Sequence, residues 1–214
     1  MYALMTETSY ISRQLDAKSN PVTDEQLLLE YRANGDRELY AQLVYRYERE
    51  LFNYLRRYLG NSEMAEDVFQ TAFLAVHMKA HTFQEGRRFR PWLYSIATHA
   101  AIDARRRNKK HTKFSLDTPQ EGDGLDMLAL ANLLESEDPS PEGVALSKER
   151  VRLIQEALKN LPEPMTAVIQ LVYFQGMKYR EAAEVLAIPV GTVKSRLNNA
   201  IKQLINIWTQ SHVD

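Results

Sequence analysis

The 214-residue sequence contains no cysteine, only eight glycines and no long apolar run. Without cysteine the chain can form neither disulfides nor thiolate metal sites, and it has no cysteine nucleophile. The glycines form no GxGxxG or GxxxxGK[ST] arrangement, which argues against a glycine-rich phosphate-binding loop. No apolar run approaches the ~20 residues that cross a bilayer, and the N-terminus lacks the features of a signal peptide. We therefore expect a cytoplasmic protein without membrane insertion.

The net charge of −1 hides an uneven distribution of charge along the chain. Residues 23–110 carry 15 bases against 12 acids, and residues 150–214 carry eight bases against five acids. Between these blocks, residues 111–149 carry two bases against nine acids. Apolar residues make up 44% of the chain and charged residues 26%, as in ordinary globular proteins. The pattern indicates two mildly basic domains joined by an acidic segment.

The acidic segment has the composition of a tether. It mixes proline, glycine and acids with one short apolar patch, so it buries too little surface to offset its ordering entropy. We therefore predict an N-terminal extension without readable function, a first domain, an acidic flexible linker and a second domain. Their predicted ranges are 1–22, 23–110, 111–146 and 147–214.

Helix-capping signals and apolar spacing predict four helices in the first block. One follows a capping box formed by Thr23 and Gln26, and another ends at Gly60. The third is capped by Asn61, and the fourth has Pro91 in its first turn. The second block is predicted to form helices over 164–175, over 179–186 and from 190 onward. Because β-branched alternation is absent, we predict an all-α fold with two small helical domains.

The segment 176–197 has the pattern of a helix–turn–helix. Ala182 and Ala183 are small where two helices must approach closely, and Pro189 forces the break between them. The second helix of such a unit inserts its N-terminal end into the major groove of DNA. Arg196 can read guanine there, while Lys194 and Ser195 are suited to hold phosphates. The alternative is an ordinary helical hairpin with solvated charges.

The fourth helix begins with aromatic residues and ends with five bases in the six residues 105–110. Compensation of the helix dipole needs only one or two bases, so the surplus favours a phosphate backbone. Rings at 89–94 are suited to stack on unpaired bases. Taken singly, however, Phe89 and Trp92 are better explained as core residues.

Three runs together resemble one family. AEDVFQTAFL at 65–74, FRPWLYSIATHAAIDARRR at 89–107 and IPVGTVKSRL at 188–197 are similar to runs of extracytoplasmic-function (ECF) RNA polymerase sigma factors. The resemblance covers about 23–110, the family's region two, and 147–208, its region four. It implies a non-enzymatic initiation factor without cofactor or metal. Such a factor binds core RNA polymerase, recognises two promoter elements and promotes melting of the DNA.

The resemblance also implies which residues act. Region two would dock on polymerase through one face of the third helix, and it would accept a flipped base in the loop Thr82–Arg88. The implied polymerase-binding residues are Asp67, Gln70, Thr71 and Leu74. The implied contacts to the melted downstream (minus-ten) element are Phe83, Arg87, Arg88, Arg90, Trp92, Tyr94, Thr98, His99, Arg105, Arg106 and Arg107. The implied contacts to the duplex upstream (minus-thirty-five) element are Thr192, Lys194, Ser195, Arg196, Asn198 and Asn199.

The sequence departs from the family pattern at several of these positions. Thr71 stands where members usually carry glutamate, and His99 stands where they usually carry asparagine. Asn198 and Asn199 replace arginines, so we expect fewer phosphate contacts and a shallower salt dependence. Ala187 replaces the usual turn glycine, and Lys178 the usual serine cap.

Two further expectations follow from the resemblance. The linker of family members runs along the path of the nascent RNA, where an acidic segment can mimic nucleic-acid charge and affect promoter escape. An anti-sigma protein commonly covers the polymerase-binding surfaces, and the face around Asp67, Gln70 and Leu74 is a docking area for one.

Two other classes of function stay open at this point. His77, His81 and Glu85 have the spacing of one helical face and can form a zinc site, although no HExxH motif supports an enzyme. The chain can also be a stand-alone helix–turn–helix regulator whose first block senses a signal or dimerises. The basic, aromatic fourth helix disfavours that second alternative.

Overall fold

The computed structural model describes residues 22–111, 157–158 and 161–210. Within these ranges the chain forms seven α-helices and two short turns of other helix types, with no strand. The helices are α1 Asp24–Asn34, α2 Arg37–Leu59, α3 Ser62–Lys79, α4 Phe89–His111, α5 Glu163–Ile169, α6 Tyr179–Leu186 and α7 Val190–Gln210. The all-α prediction is confirmed. The predicted extension 1–22, apart from Val22, and nearly all of the predicted linker lie outside the described residues.

Local capping groups set the helix boundaries of the first domain. Gln26 N–H donates to Thr23 Oγ1 (3.2 Å), and Thr23 N–H donates to Gln26 Oε1 (2.8 Å), which completes the predicted capping box. Asn61 caps α3 by accepting from Met64 N–H at 2.8 Å. Gly60 ends α2 with a φ of 70°, a left-handed conformation that suits glycine.

Helices α1 to α4 pack into one bundle around tyrosines and leucines. Tyr54 and Tyr94 are fully buried in it, together with Leu51 and Leu93. The hydroxyl groups of Tyr54 and Thr98 share a buried hydrogen bond of 2.7 Å. Burial raises the pKa of Tyr54, so its hydroxyl stays neutral. This pair thus satisfies its polar groups inside the bundle, whereas the buried Tyr58 hydroxyl has no hydrogen-bond partner among the described residues.

The second domain contains α5, a π-helical turn at Gln170–Phe174, and the helix–turn–helix formed by α6 and α7. The predicted helix over 164–175 is thus interrupted near its end, where Gln175 N–H donates to Gln170 O at 3.1 Å. Val193 is fully buried between α6 and α7. Ala187 forms the turn with a φ of 52°.

The two domains share one apolar cluster. Leu171, Met177, Ala182 and Val185 of the second domain are buried together with the bundle residues. Helix α6 lies against α4, which places the helix–turn–helix beside the loop 83–88. Within the described ranges, none of the helices combines the length and the apolar character that crossing a membrane requires.

Candidate polymerase and DNA interfaces

One face of α3 points to solvent and carries the predicted polymerase-binding residues. Asp67, Gln70 and Thr71 are exposed, and the Thr71 hydroxyl donates to Asp67 O at 2.8 Å. Leu74 lies one turn further along and is 59% exposed. Met78, which sequence reasoning missed, continues the face and is 65% exposed. Because all five residues recur at three- or four-residue spacing, they form one apolar and acidic stripe.

Three predicted arginines near the start of α4 contact the second domain, although the Arg88 side chain stays 72% exposed. Arg87 Nε donates to Glu184 Oε1 (2.7 Å), and Arg88 Nη1 donates to Glu181 Oε1 (3.0 Å). Arg90 donates to Gln175 O of the second domain at 2.9 Å. These three predicted DNA contacts are therefore engaged with the second domain.

Arg90 also forms an ion pair within the first domain. Its guanidinium donates to the Glu50 carboxylate through both Nε and Nη2. Burial acts to lower the pKa of Arg90, but the Glu50 carboxylate outweighs it and raises that pKa. The arginine therefore stays charged in its half-buried position.

Four predicted minus-ten contacts are buried in the bundle instead. They are Phe83, Trp92, Tyr94 and Thr98. The rings of Phe83 and Trp92 pack edge to face with centroids 5.1 Å apart, which fixes the loop 83–88 on α4. Phe83 lies in the loop before α4, and the other three lie on sides of α4 that pack against the rest of the protein. Their burial argues against direct DNA contact in this conformation, and it favours the core interpretation of Trp92.

The remaining predicted contacts on α4 are accessible to different degrees. His99 is exposed, and its Nδ1 lies 2.6 Å from Ser95 O of the same helix. Arg106 and Arg107 are exposed, whereas Arg105 is partly covered and lies over the Tyr58 ring. The exposed basic residues thus lie along the C-terminal half of α4.

The predicted minus-thirty-five residues lie on the outer surface of α7. Lys194, Ser195, Asn198 and Asn199 are exposed, and Arg196 is partly exposed. In the same helical turn Thr192 is partly exposed, and its carbonyl accepts a hydrogen bond from the Ser195 hydroxyl at 3.1 Å. The opposite side of the helix is buried through Val193, Ala200 and Leu204. Helix α7 therefore presents a polar face with cations on its flanks.

Two of the three residues of the zinc alternative are engaged elsewhere. The Tyr31 hydroxyl contacts His77 Nδ1, and the Glu85 carboxylate pairs with Arg32 at 3.5 Å. Among the residues that the structure describes, no group of three histidines and acids can hold a metal ion. The geometry thus gives the zinc alternative no support.

Comparison with known proteins identifies both domains. The chain matches Sigma-70 region 2 over residues 43–111 and Sigma-70 region 4 over residues 152–204. It is 34% identical over 170 residues to the ECF RNA polymerase sigma factor SigW of Bacillus subtilis, covering 79% of this chain and 89% of that protein. It is 29% identical over 192 residues to the ECF RNA polymerase sigma-E factor of Escherichia coli K12, covering 88% and 95%.

Solved structures show the same fold. The structure of CnrH in complex with the cytosolic domain of CnrY matches with a TM-score of 0.62 and 24% identity, covering 87% of this chain and 97% of that one. The sigma factor RpoE in complex with the anti-sigma factor NepR from Bartonella quintana matches with a TM-score of 0.57 and 19% identity, covering 79% and 96%. Family matches in both domains, at this level of identity over nearly the whole length of a relative, establish that the chain belongs to the ECF family of RNA polymerase sigma factors.

Proposed function

We propose that the chain binds core RNA polymerase through α3 and directs it to promoters through two separate DNA surfaces. The loop 83–88 and α4 contact the melted minus-ten element, and α7 reads the minus-thirty-five element. The proposal rests above all on the exposed stripe of α3, which carries two large apolar side chains in a chain of the sigma family. Sigma factors are not enzymes, so phosphodiester bond formation belongs to the polymerase. We propose the cytoplasm as its location.

The α3 stripe has the composition of a protein interface. Leu74 and Met78 expose most of their surface at the C-terminal end of the stripe, and Asp67 and Gln70 extend it toward the start of the helix. Burying an exposed leucine contributes about 1.5–3 kcal/mol, because apolar surface leaves water. Polar groups beside it fix the orientation of the partner. Thr71 supplies no charge where the family usually has an acid, so we propose that the apolar pair contributes more to affinity here.

The minus-ten surface is cationic rather than aromatic. Arg106 and Arg107 are exposed and suited to bind phosphates of the displaced strand. Arg87 and Arg88 flank the loop that would receive a flipped base. Unstacking a base costs a few kcal/mol, which contacts in the loop and along α4 offset without ATP. The buried rings support this surface by fixing the loop on α4.

The minus-thirty-five surface combines neutral and charged groups. Arg196 can donate two hydrogen bonds to guanine, and asparagine amides such as Asn199 match the edge of adenine. Lys194 and Ser195 are placed to hold phosphates on the near strand. We propose that the amides give α7 a different base preference from relatives with arginines at these positions.

The α3 stripe is also the surface that we propose for an anti-sigma protein. CnrH and the Bartonella RpoE were solved with CnrY and NepR bound, and they share the fold of this chain. A partner that covered Leu74 would exclude polymerase by direct competition. We further propose the predicted domain limits 23–110 and 147–214 for the two DNA-binding units.

Run-off transcription with bacterial core RNA polymerase tests the proposal. The full chain should bind core polymerase and start transcription from specific sites on genomic DNA fragments. Leu74→Asp should weaken polymerase binding at least tenfold, because it places a charge in a desolvated contact. Ile205→Asp, on an exposed apolar residue of α7, is the control and should keep polymerase affinity. A chain that binds duplex DNA tightly but ignores core polymerase would contradict the proposal and favour a stand-alone regulator.

A further inference from the structure

The contact between the two domains pairs opposite charges at the proposed minus-ten surface. Glu184 and Glu181 lie on α6, the first helix of the helix–turn–helix, and they bind Arg87 and Arg88 at 2.7 and 3.0 Å. The paired residues are 97 and 93 positions apart in the chain. Each carboxylate therefore occupies one nitrogen of an arginine that a phosphate of a DNA strand would otherwise bind.

A buried polar network lies beside these ion pairs. The Gln175 amide nitrogen donates to the Glu50 carboxylate (3.1 Å) and the Tyr94 hydroxyl (2.7 Å), and its oxygen accepts from Arg57 (2.8 Å). The Tyr94 hydroxyl in turn donates to Glu50 at 2.9 Å. Arg57 also lies over the Phe174 ring, 5.4 Å from its centroid. Because Gln175 and Tyr94 are both buried, the network needs the second domain in place.

The acids of the second domain are concentrated on this contact. Among its described residues the only acids are Glu163, Glu181 and Glu184. Two of them pair with first-domain arginines, and Glu163 acts on the Tyr58 hydroxyl of α2, whose pKa is raised by burial and then by this carboxylate. The outer face of α7, by contrast, carries cations and amides. The second domain thus presents an acidic side to the first domain and a polar, cationic side to solvent.

We propose that this contact is an autoinhibitory latch. In the closed arrangement, carboxylates of α6 take the place of DNA phosphates on Arg87, whose side chain is 36% exposed, and on one nitrogen of Arg88, whose side chain stays 72% exposed. Helix α7 stays accessible, so duplex contact through α7 is compatible with closure while strand capture at the loop is not. The latch rests on the proposed function, since it assumes that the loop arginines bind the melted strand.

Closure can be measured directly by energy transfer between two dyes. The chain has no native cysteine, so Ala41→Cys on α2 and Gln203→Cys on α7, both exposed, give unique labelling sites. In this background Glu184→Arg places two cations against each other and should lower the ratio of closed to open molecules about tenfold. Adding Arg87→Glu restores an ion pair of reversed polarity and should restore the transfer.

Binding of a short fluorescein-labelled single-stranded DNA of mixed sequence gives the second readout. Glu184→Arg should bind this strand about tenfold more tightly than the unaltered chain, because its loop arginines are released. Glu85→Arg is the matched control, since it makes the same change of charge within the loop itself while Glu85 pairs with Arg32 of the first domain. It should leave the energy transfer unchanged and raise strand affinity less than Glu184→Arg does.

The outcomes separate the latch from the function on which it rests. Low energy transfer in the unaltered chain, or transfer that Glu184→Arg leaves unchanged, would overturn the latch. If Glu184→Arg opens the chain but gains no more strand affinity than Glu85→Arg, the contact holds the domains together without inhibiting strand binding. If the opened variant gains strand affinity yet fails to initiate transcription with core polymerase, the latch stands and the proposed function fails.

Discussion

Ala187 bears backbone strain in the turn of the helix–turn–helix. Its φ of 52° makes it the one described non-glycine residue in the left-handed region. A side chain in this conformation costs roughly 1–2 kcal/mol, because Cβ approaches the following carbonyl oxygen. The family usually places glycine at this turn, so the strain belongs to this chain's own sequence.

Ala187→Gly should therefore stabilise the chain. We expect the free energy of unfolding to rise by about 1 kcal/mol, since the relief of strain exceeds the entropy that glycine loses on folding. Urea unfolding followed by far-UV circular dichroism measures the change. Ala41→Gly, in the middle of α2, is the control and should lower the free energy by about 1 kcal/mol. An equal loss in both variants would show that the turn is not strained.

Individual residues also show what local sequence signals reveal. Thr23, Asn61 and Gly60 were predictable because a cap depends on groups within about four residues. The core interpretation was available for Trp92, but the burial of Tyr94 was not predictable, because the direction of a ring depends on which helices meet α4. Aromatic residues next to basic residues in the sequence are typical of strand-binding surfaces and of cores alike.

At the scale of elements, α3 and α7 each divide into a buried and an exposed side. On α3 the apolar spacing of Ala65, Val68 and Val76 matches the buried side. The exposure of Leu74 and Met78 was harder to predict from the sequence. An apolar residue at the boundary between the buried and the exposed side of a helix can belong to either. The π-helical turn carried no recognisable signal, and it ends next to Gln175, the residue that links the second domain to Tyr94.

Helix α7 leads to a prediction about how DNA binding depends on salt concentration. Asn199 is exposed on the face that we propose for the major groove, where relatives tend to have arginine. Asn199→Arg should add one phosphate contact, so the slope of log K against log salt for duplex DNA should steepen by about one unit. Fluorescence anisotropy at several salt concentrations measures this slope.

The control for that experiment adds the same charge elsewhere. Ala41→Arg lies at an exposed position of α2 in the other domain, and should leave the slope unchanged. If both variants steepened the slope equally, net charge rather than a contact on α7 would explain the effect. If neither did, position 199 would lie outside the DNA interface.

At the scale of the whole molecule, the two domains are joined by a shared apolar cluster and by ion pairs between opposite charges. Blocks of opposite sign were visible in the sequence, but they suggested only a basic domain on each side of an acidic linker. The acids that matter for docking, Glu181 and Glu184, lie in a block with a net positive charge. Their partners are more than 90 residues away in the chain, so no local pattern relates them.

The latch also makes a quantitative prediction about linkage. If a single strand binds only to open molecules, its apparent affinity is reduced by the fraction of molecules that are closed. Every variant of the latch should then lower the ratio of closed to open molecules. Its strand affinity should rise in proportion to its open fraction. Glu184→Gln, Glu181→Gln and Glu184→Arg form a graded series, because neutral replacements remove attraction whereas arginine adds repulsion.

Plotting the logarithm of strand affinity against the logarithm of the open fraction measures the coupling. We expect a slope of about one across the series, because each strand requires one open molecule. A slope near zero would mean that strands bind closed molecules as well as open ones, so that α6 does not mask the loop arginines. Raising the salt concentration should increase the open fraction of the unaltered chain, since exposed ion pairs weaken as the Debye length shortens. The strand itself also binds less tightly at high salt, so the series is compared at one ionic strength, where only the latch differs between variants.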